Sequence, residues 1–147
     1  MTGLFAGSFD PFTVGHASVL SRVLPLFSHV VVGVGGNAAK PGQASPFERV
    51  ENIRKLYAGD PKVEVVAYEG LTAELASKVG ASYIIKGVRN SADFESEREQ
   101  AVVNRRLSGI DTLLVPAEEG LACVSSSMVR ELAFHGRDVS EYLPAKK

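Results

Sequence analysis

The chain has 147 residues, 45% of them hydrophobic and 22% charged, ordinary globular usage that excludes disordered, collagen-like and disulfide-scaffold chains and suits one compact domain over 1–147. Sixteen Lys and Arg against seventeen Asp and Glu give a formal charge of −1, so the basic excess of a general nucleic-acid binder is missing and no nucleic-acid partner is expected. The one cysteine, Cys123, cannot form an internal disulfide; with no signal-peptide pattern at Met-Thr-Gly-Leu-Phe-Ala and no apolar run near the ~20 residues that cross a bilayer, a cytoplasmic protein with no membrane partner is expected.

Short β-branched runs at Gly3 to Ala6, His29 to Val34, Val63 to Ala67, Tyr83 to Ile85 and Thr112 to Val115 read as strands. They carry few charges and little alternation, as strands do when helices cover both faces of a parallel sheet. Helical spacing falls between them, at Gly15 to Leu26, Pro46 to Ala58, Ala73 to Val79, Ala92 to Leu107 and Ser126 to His135. Ser45-Pro46-Phe47-Glu48 combines an N-cap serine, a first-position proline and a capping-box glutamate. Asn90 or Ser91 can cap the fourth helix, and Gly109 falls where a left-handed residue would end it. Gly36 to Ala44, with its glycines and proline, reads as a loop. The βαβα alternation predicts a doubly wound α/β domain with a five-stranded parallel sheet, whose ligands bind beyond the carboxyl ends of the strands.

The first strand runs into Gly7-Ser8-Phe9-Asp10-Pro11-Phe12-Thr13-Val14-Gly15-His16. Free N–H groups at a helix start and a glycine that permits close backbone approach make a phosphate site physically reasonable there. Neither the dinucleotide-fold glycine fingerprint nor the P-loop pattern is present. Lys86-Gly87-Val88-Arg89 is read as following the fourth strand, two cations suited to several phosphate charges. Ser125-Ser126-Ser127 opens the last helix, where hydroxyls and free N–H groups can hold phosphates, beyond the one serine a cap requires. The bland alternatives are a capping or core role for His16, a turn serine at Ser8, a solvated lysine at Lys40 and a salt-bridged helix residue at Glu97. His29 and His135 lack comparable context and read as structural, and Cys123 reads as packing because no basic partner adjoins it. No Cys, His and carboxylate spacing suggests a resident metal.

Thr13-Val14-Gly15-His16 after Gly7-Ser8-Phe9-Asp10-Pro11 resembles the H/T-x-G-H signature of the nucleotidyltransferase superfamily, which implies a Rossmann-like fold. Together with Ile85 to Arg89, Asp93-Phe94-Glu95, Asn104-Arg105 and Val124 to Ser127, it resembles the phosphopantetheine adenylyltransferases, from the first strand to about Leu143. The resemblance implies transfer of an adenylyl group from ATP to 4′-phosphopantetheine, in coenzyme A synthesis. It implies catalytic roles for His16, Lys40 and Arg89. It places ATP against Ser8, Phe9, His16, Gly87, Val88, Arg89, Glu97, Leu121, Ala122, Cys123, Val124, Ser125, Ser126 and Ser127. The phosphopantetheine falls to Ser8, Lys40, Thr72 and Lys86, where the family often has arginine in place of Lys86. Mg2+ is expected to arrive with ATP, and the family's usual assembly is a homohexamer. A related transferase acting on nicotinamide mononucleotide or glycerol phosphate, a catalytically silent nucleotide-binding module and a flavodoxin-like binding domain are the other readings.

Overall fold

The computed structural model describes residues 1–36 and 44–145. Lys40, and with it most of the loop expected over 36–44, lies outside the described residues. In chain order the elements are β1 (Thr2–Gly7), α1 (Val14–Val23), β2 (His29–Gly35), α2 (Pro46–Leu56), β3 (Val63–Tyr68), α3 (Thr72–Lys78), β4 (Tyr83–Val88), α4 (Ser91–Ser108), β5 (Asp111–Pro116) and α5 (Ser126–Phe134). The five strands form one parallel sheet in the order β3-β2-β1-β4-β5. The chain winds outward from β1 to β3, then returns to the far side of β1 for β4 and β5. The strand order therefore reverses between β1 and β4.

Alternate residues of each central strand feed two separate cores. Phe5, Val30, Val32, Val34 and Ile85 pack with Val19, Leu20 and Val23 of α1 and Val50 and Ile53 of α2. Leu4, Ala6, Val31 and Ile84 pack with Leu75 and Ala76 of α3 on the opposite face. Both faces being covered explains why the strands are runs of valine and isoleucine without polar alternation. Each fully buried side chain of this kind contributes about 1.5–3 kcal/mol relative to exposure.

Local chemistry sets the element ends. Pro25 cannot donate the N–H that would extend α1, and the chain tightens into a 3-10 turn over Leu24–Leu26 instead of continuing as α-helix. The Ser45 hydroxyl accepts from the Glu48 N–H at 3.2 Å with Pro46 at the first helical position, though only this half of the expected capping box forms. Asn90 caps α4 through the Asp93 N–H at 2.8 Å, and Gly109 ends it at φ 75°. One strand differs from its expected span in a way that matters for function. β4 runs on through Lys86, Gly87 and Val88, so Lys86 lies inside the strand and only Arg89 follows it. The extension is held by β5 alone, through Lys86 beside Leu114, Gly87 beside Val115 and Val88 beside Pro116. The local strand signal ends at Ile85 because lysine and glycine are poor strand formers; the neighbouring strand supplies what they lack.

Candidate active site

Pairing between β1 and β4 ends at Phe5 beside Ile85, although both strands continue beyond that point. They part, and a cavity of about 390 Å³ opens between them, bounded also by the turn into α1 and the start of α5. It lies beyond the carboxyl ends of the strands where the strand order reverses, as expected of ligand sites in open parallel sheets. Lys86 Nζ spans the split to donate to the Ala6 carbonyl at 3.1 Å.

The turn from β1 into α1 is built around aromatic packing. Phe9 is 3% exposed and holds a φ of 48°, a conformation costly for a bulky side chain that persists only when its surroundings impose it. Its ring meets Phe5 at 5.1 Å, Phe12 at 5.3 Å and His16 edge-on at 5.0 Å. Thr13 caps α1 and His16 closes a reciprocal box: the Thr13 N–H donates to His16 Nδ1 at 2.9 Å. A ring nitrogen that accepts from a backbone N–H carries no proton, so in the neutral imidazole the hydrogen sits on Nε2. Burial, the Arg89 guanidinium and the Lys86 ammonium together lower the His16 pKa from 6.5 to about 4. At neutral pH His16 is therefore an uncharged Nε2–H donor lining the cavity. The capping role and an available Nε2–H donor coexist in one ring, because capping occupies only the other nitrogen.

The cations opposite are held by α4. Arg89 donates to Asp93 from Nε at 3.0 Å and from its backbone N–H at 3.1 Å. Lys86 Nζ lies 3.6 Å from Glu97 Oε2, an oxygen with no hydrogen-bond partner. Asp93 and Glu97 are one helical turn apart and hold both cations at the cavity wall. At α5, Ser125 caps the helix through the Met128 N–H at 3.1 Å, and the Ser126 hydroxyl donates to the Pro11 carbonyl at 2.7 Å. The Ser127 hydroxyl lies 3.2 Å from that of Ser125, so all three serine side chains have partners within the protein. The backbone N–H groups of Ser126 and Ser127, first in the helix, keep no intrahelical acceptor and suit an anion. Among the described residues no group of three or more His, Cys, Asp or Glu side chains could hold a metal ion.

The cytidylyltransferase-like family model matches residues 4–132. A phosphopantetheine adenylyltransferase of Porphyromonas gingivalis is 47% identical over 141 residues, covering 96% of this chain and 92% of the relative. The chain belongs to the phosphopantetheine adenylyltransferase family. Further members from Bacteroides fragilis, 44% identical over 96% of this chain and 94% of the relative, and Cutibacterium acnes, 42% identical over 98% and 92%, agree. The fold is shared with a putative nicotinate-nucleotide adenylyltransferase of Vibrio parahaemolyticus, at TM-score 0.69 and 19% identity over 98% of this chain and 93% of the other. It is also shared with a bifunctional NMN adenylyltransferase/ADP ribose pyrophosphatase of Francisella tularensis, at TM-score 0.75 and 17% identity over 99% and 45%.

In this phosphopantetheine adenylyltransferase family member, Ser8, Phe9, His16, Lys86, Gly87, Val88, Arg89, Glu97, Leu121, Val124, Ser125, Ser126 and Ser127 all line the one cavity. Ala122 and Cys123 do not line it; the turn linking Leu121 to Val124 leaves both exposed. Thr72 stands apart as well, its hydroxyl 2.8 Å from the Tyr68 hydroxyl. Lys40 lies outside the described residues. Arg130 and Asp93, neither of which carries an expected role from the sequence, also stand in the cavity wall. Arg130 Nη1 donates to the Asp10 carbonyl, so α5 is tied to the first turn at two successive residues, Asp10 and Pro11. Its spacing of one helical turn from Ser126 was the available signal.

Proposed function

We infer that this protein transfers the adenylyl group of ATP to 4′-phosphopantetheine, yielding dephospho-coenzyme A and pyrophosphate. The observation that carries the reading is a neutral His16 with Nε2–H as its available donor, in one cavity with Lys86, Arg89 and the free N–H groups of α5, in a chain of this family. A phosphate oxygen of phosphopantetheine attacks the α-phosphorus of ATP, a new P–O bond forms, and the bond to the pyrophosphate oxygen breaks. No side chain need bond covalently, so placement and charge stabilisation do the catalysis. His16 Nε2–H donates to the α-phosphate as negative charge builds there. Being uncharged, it can remain within a cluster of cations that would repel an imidazolium. Lys86 faces the phosphopantetheine phosphate, as does Lys40 by resemblance, with Ser8 between the two substrates and Thr72 on the pantetheine side. Gly87, Val88, Arg89 and Glu97 face the nucleotide, and Leu121 and Val124 border its base. Ser125, Ser126 and Ser127 receive the β- and γ-phosphates that leave as pyrophosphate.

ATP would enter as its magnesium complex, the metal offsetting negative charge on the phosphates. Asp93 and Glu97, the carboxylates in the cavity wall, already face Arg89 and Lys86, which suits a metal carried by the nucleotide better than one resident in the protein. Among the described residues no helix is long and apolar enough to cross a membrane, and we place the reaction in the cytoplasm, where ATP is abundant. A homohexamer is the assembly we propose. Val102 and Leu107 of α4 are 63% and 58% exposed, and α4 contributes no fully buried residue, which supports a helix awaiting a partner copy.

The test is pyrophosphate release by the purified protein with ATP and magnesium, with 4′-phosphopantetheine or nicotinamide mononucleotide as acceptor. Release with phosphopantetheine alone is expected. Release with the mononucleotide alone overturns the acceptor, and silence with both overturns the enzymatic reading.

A further inference from the structure

Arg49 is buried at 5% exposure in the first half of α2, outside the cavity wall. A guanidinium removed from water is costly unless its donors are met and its charge is answered. Its Nη1 donates to the Ser8 carbonyl at 2.6 Å and to the Gly35 carbonyl at 2.9 Å, and its Nε to the Ala44 carbonyl at 3.3 Å. Among the described residues no carboxylate lies within ion-pair distance of it. One side chain thus gathers the turn after β1, the end of β2 and the residue before the α2 cap. Gly36 makes room for it: at φ 142° it has no side chain, and a Cβ there would stand 3.1 Å from Arg49 Nη2.

Ser8 is the residue immediately before Phe9, whose strained φ sets the turn. Drawing the Ser8 carbonyl toward Arg49 fixes the peptide plane between Ser8 and Phe9, and so the direction in which the Phe9 N–H points. The Asp10 and Pro11 carbonyls of the same turn are held from the other side by Arg130 and Ser126. The turn is thereby clamped at three carbonyls by side chains from two helices.

We propose that Arg49 is a positioning residue for adenylyl transfer: through the Ser8, Gly35 and Ala44 carbonyls it holds the Ser8–Phe9 turn in the geometry that aligns the two reacting phosphates. The inference rests on the adenylyltransferase reading above. A lysine at this position keeps the charge but has no planar fork to span three carbonyls. Misplacement of a reacting group by about 1 Å costs up to ~10²-fold in rate.

The test compares Arg49→Lys with the wild type for melting temperature, calorimetric ATP affinity and kcat per ATP-binding site. Counting only sites that bind ATP removes any loss caused by unfolding. The expected result is a cooperative melt, ATP affinity within about threefold of wild type, and kcat per binding site lowered ~10- to 10²-fold. A kcat per site within about threefold of wild type overturns the proposal, whatever the melting temperature, and reduces Arg49 to a structural residue. Gly36→Ala serves where the lysine variant binds no ATP, because it keeps the buried charge while setting a Cβ against the guanidinium and straining the backbone at the end of β2. Its kcat per site is expected to fall at least ~5-fold, and an unchanged value overturns the proposal equally. An inactive wild type would instead sink the adenylyltransferase reading itself, so the two failures are distinguishable.

Discussion

A single imidazole does two jobs at this site. His16 Nδ1 closes the cap of α1, and that fixes which nitrogen can donate to a ligand. His16→Ala is expected to leave ATP affinity within about tenfold but to lower kcat by at least ~10²-fold, the scale of one charge-stabilising donor, measured by calorimetry and steady-state kinetics. The pKa of about 4 makes a second claim. In the ligand-free protein the imidazole carbon resonances should titrate near pH 4, and Arg89→Met should raise that midpoint by removing a nearby positive charge. The sign for stability follows from linkage. The folded pKa lies below the unfolded 6.5, so the unfolded chain takes up the proton first as pH falls. His16 thus favours the folded state fully above pH 6.5, and this is lost between 6.5 and about 4. Denaturant melts across that window should fall less steeply for His16→Ala than for the wild type.

At the scale of elements, the helix starts do most of the positioning. α1 places His16 one turn after Thr13, α4 sets Asp93 and Glu97 against Arg89 and Lys86, and α5 presents two free N–H groups. Caps whose side chains lie outside the cavity wall should behave as plain stability determinants. Ser45→Ala removes the acceptor for the Glu48 N–H and should cost about 1 kcal/mol, seen as a fall of ~2–4 °C in melting temperature with kcat unchanged. The caps at Ser45, Asn90 and Gly109 were legible in the sequence because capping is local chemistry. The true end of β4 was not, because Lys86, Gly87 and Val88 are strand only by virtue of β5.

For the whole molecule, coverage of the sheet is uneven. β1 and β2 are buried on both faces, while β5 and α4 carry no fully buried residue. Under the proposed assembly that flank meets a neighbouring copy. Leu107→Asp should therefore yield a species of lower mass by size-exclusion chromatography with light scattering, while each released chain keeps its cooperative melt. An unchanged mass would place the interface elsewhere or remove it.

The order of strands and helices, the caps and the serine start of α5 were determined by the sequence itself, since each depends on residues within a turn or two of one another. The tertiary structure alone decided that β1 and β4 part after Phe5 and Ile85, and that Lys86 crosses the gap to Ala6. It decided too that Arg49, which reads as one more charge on a polar helix, is buried against three carbonyls. Its place four residues before Ile53 on the apolar stripe of α2 hints at burial, but its acceptors come from three separate stretches of chain. Partners so far apart meet only once the sheet has formed, and no local pattern encodes them.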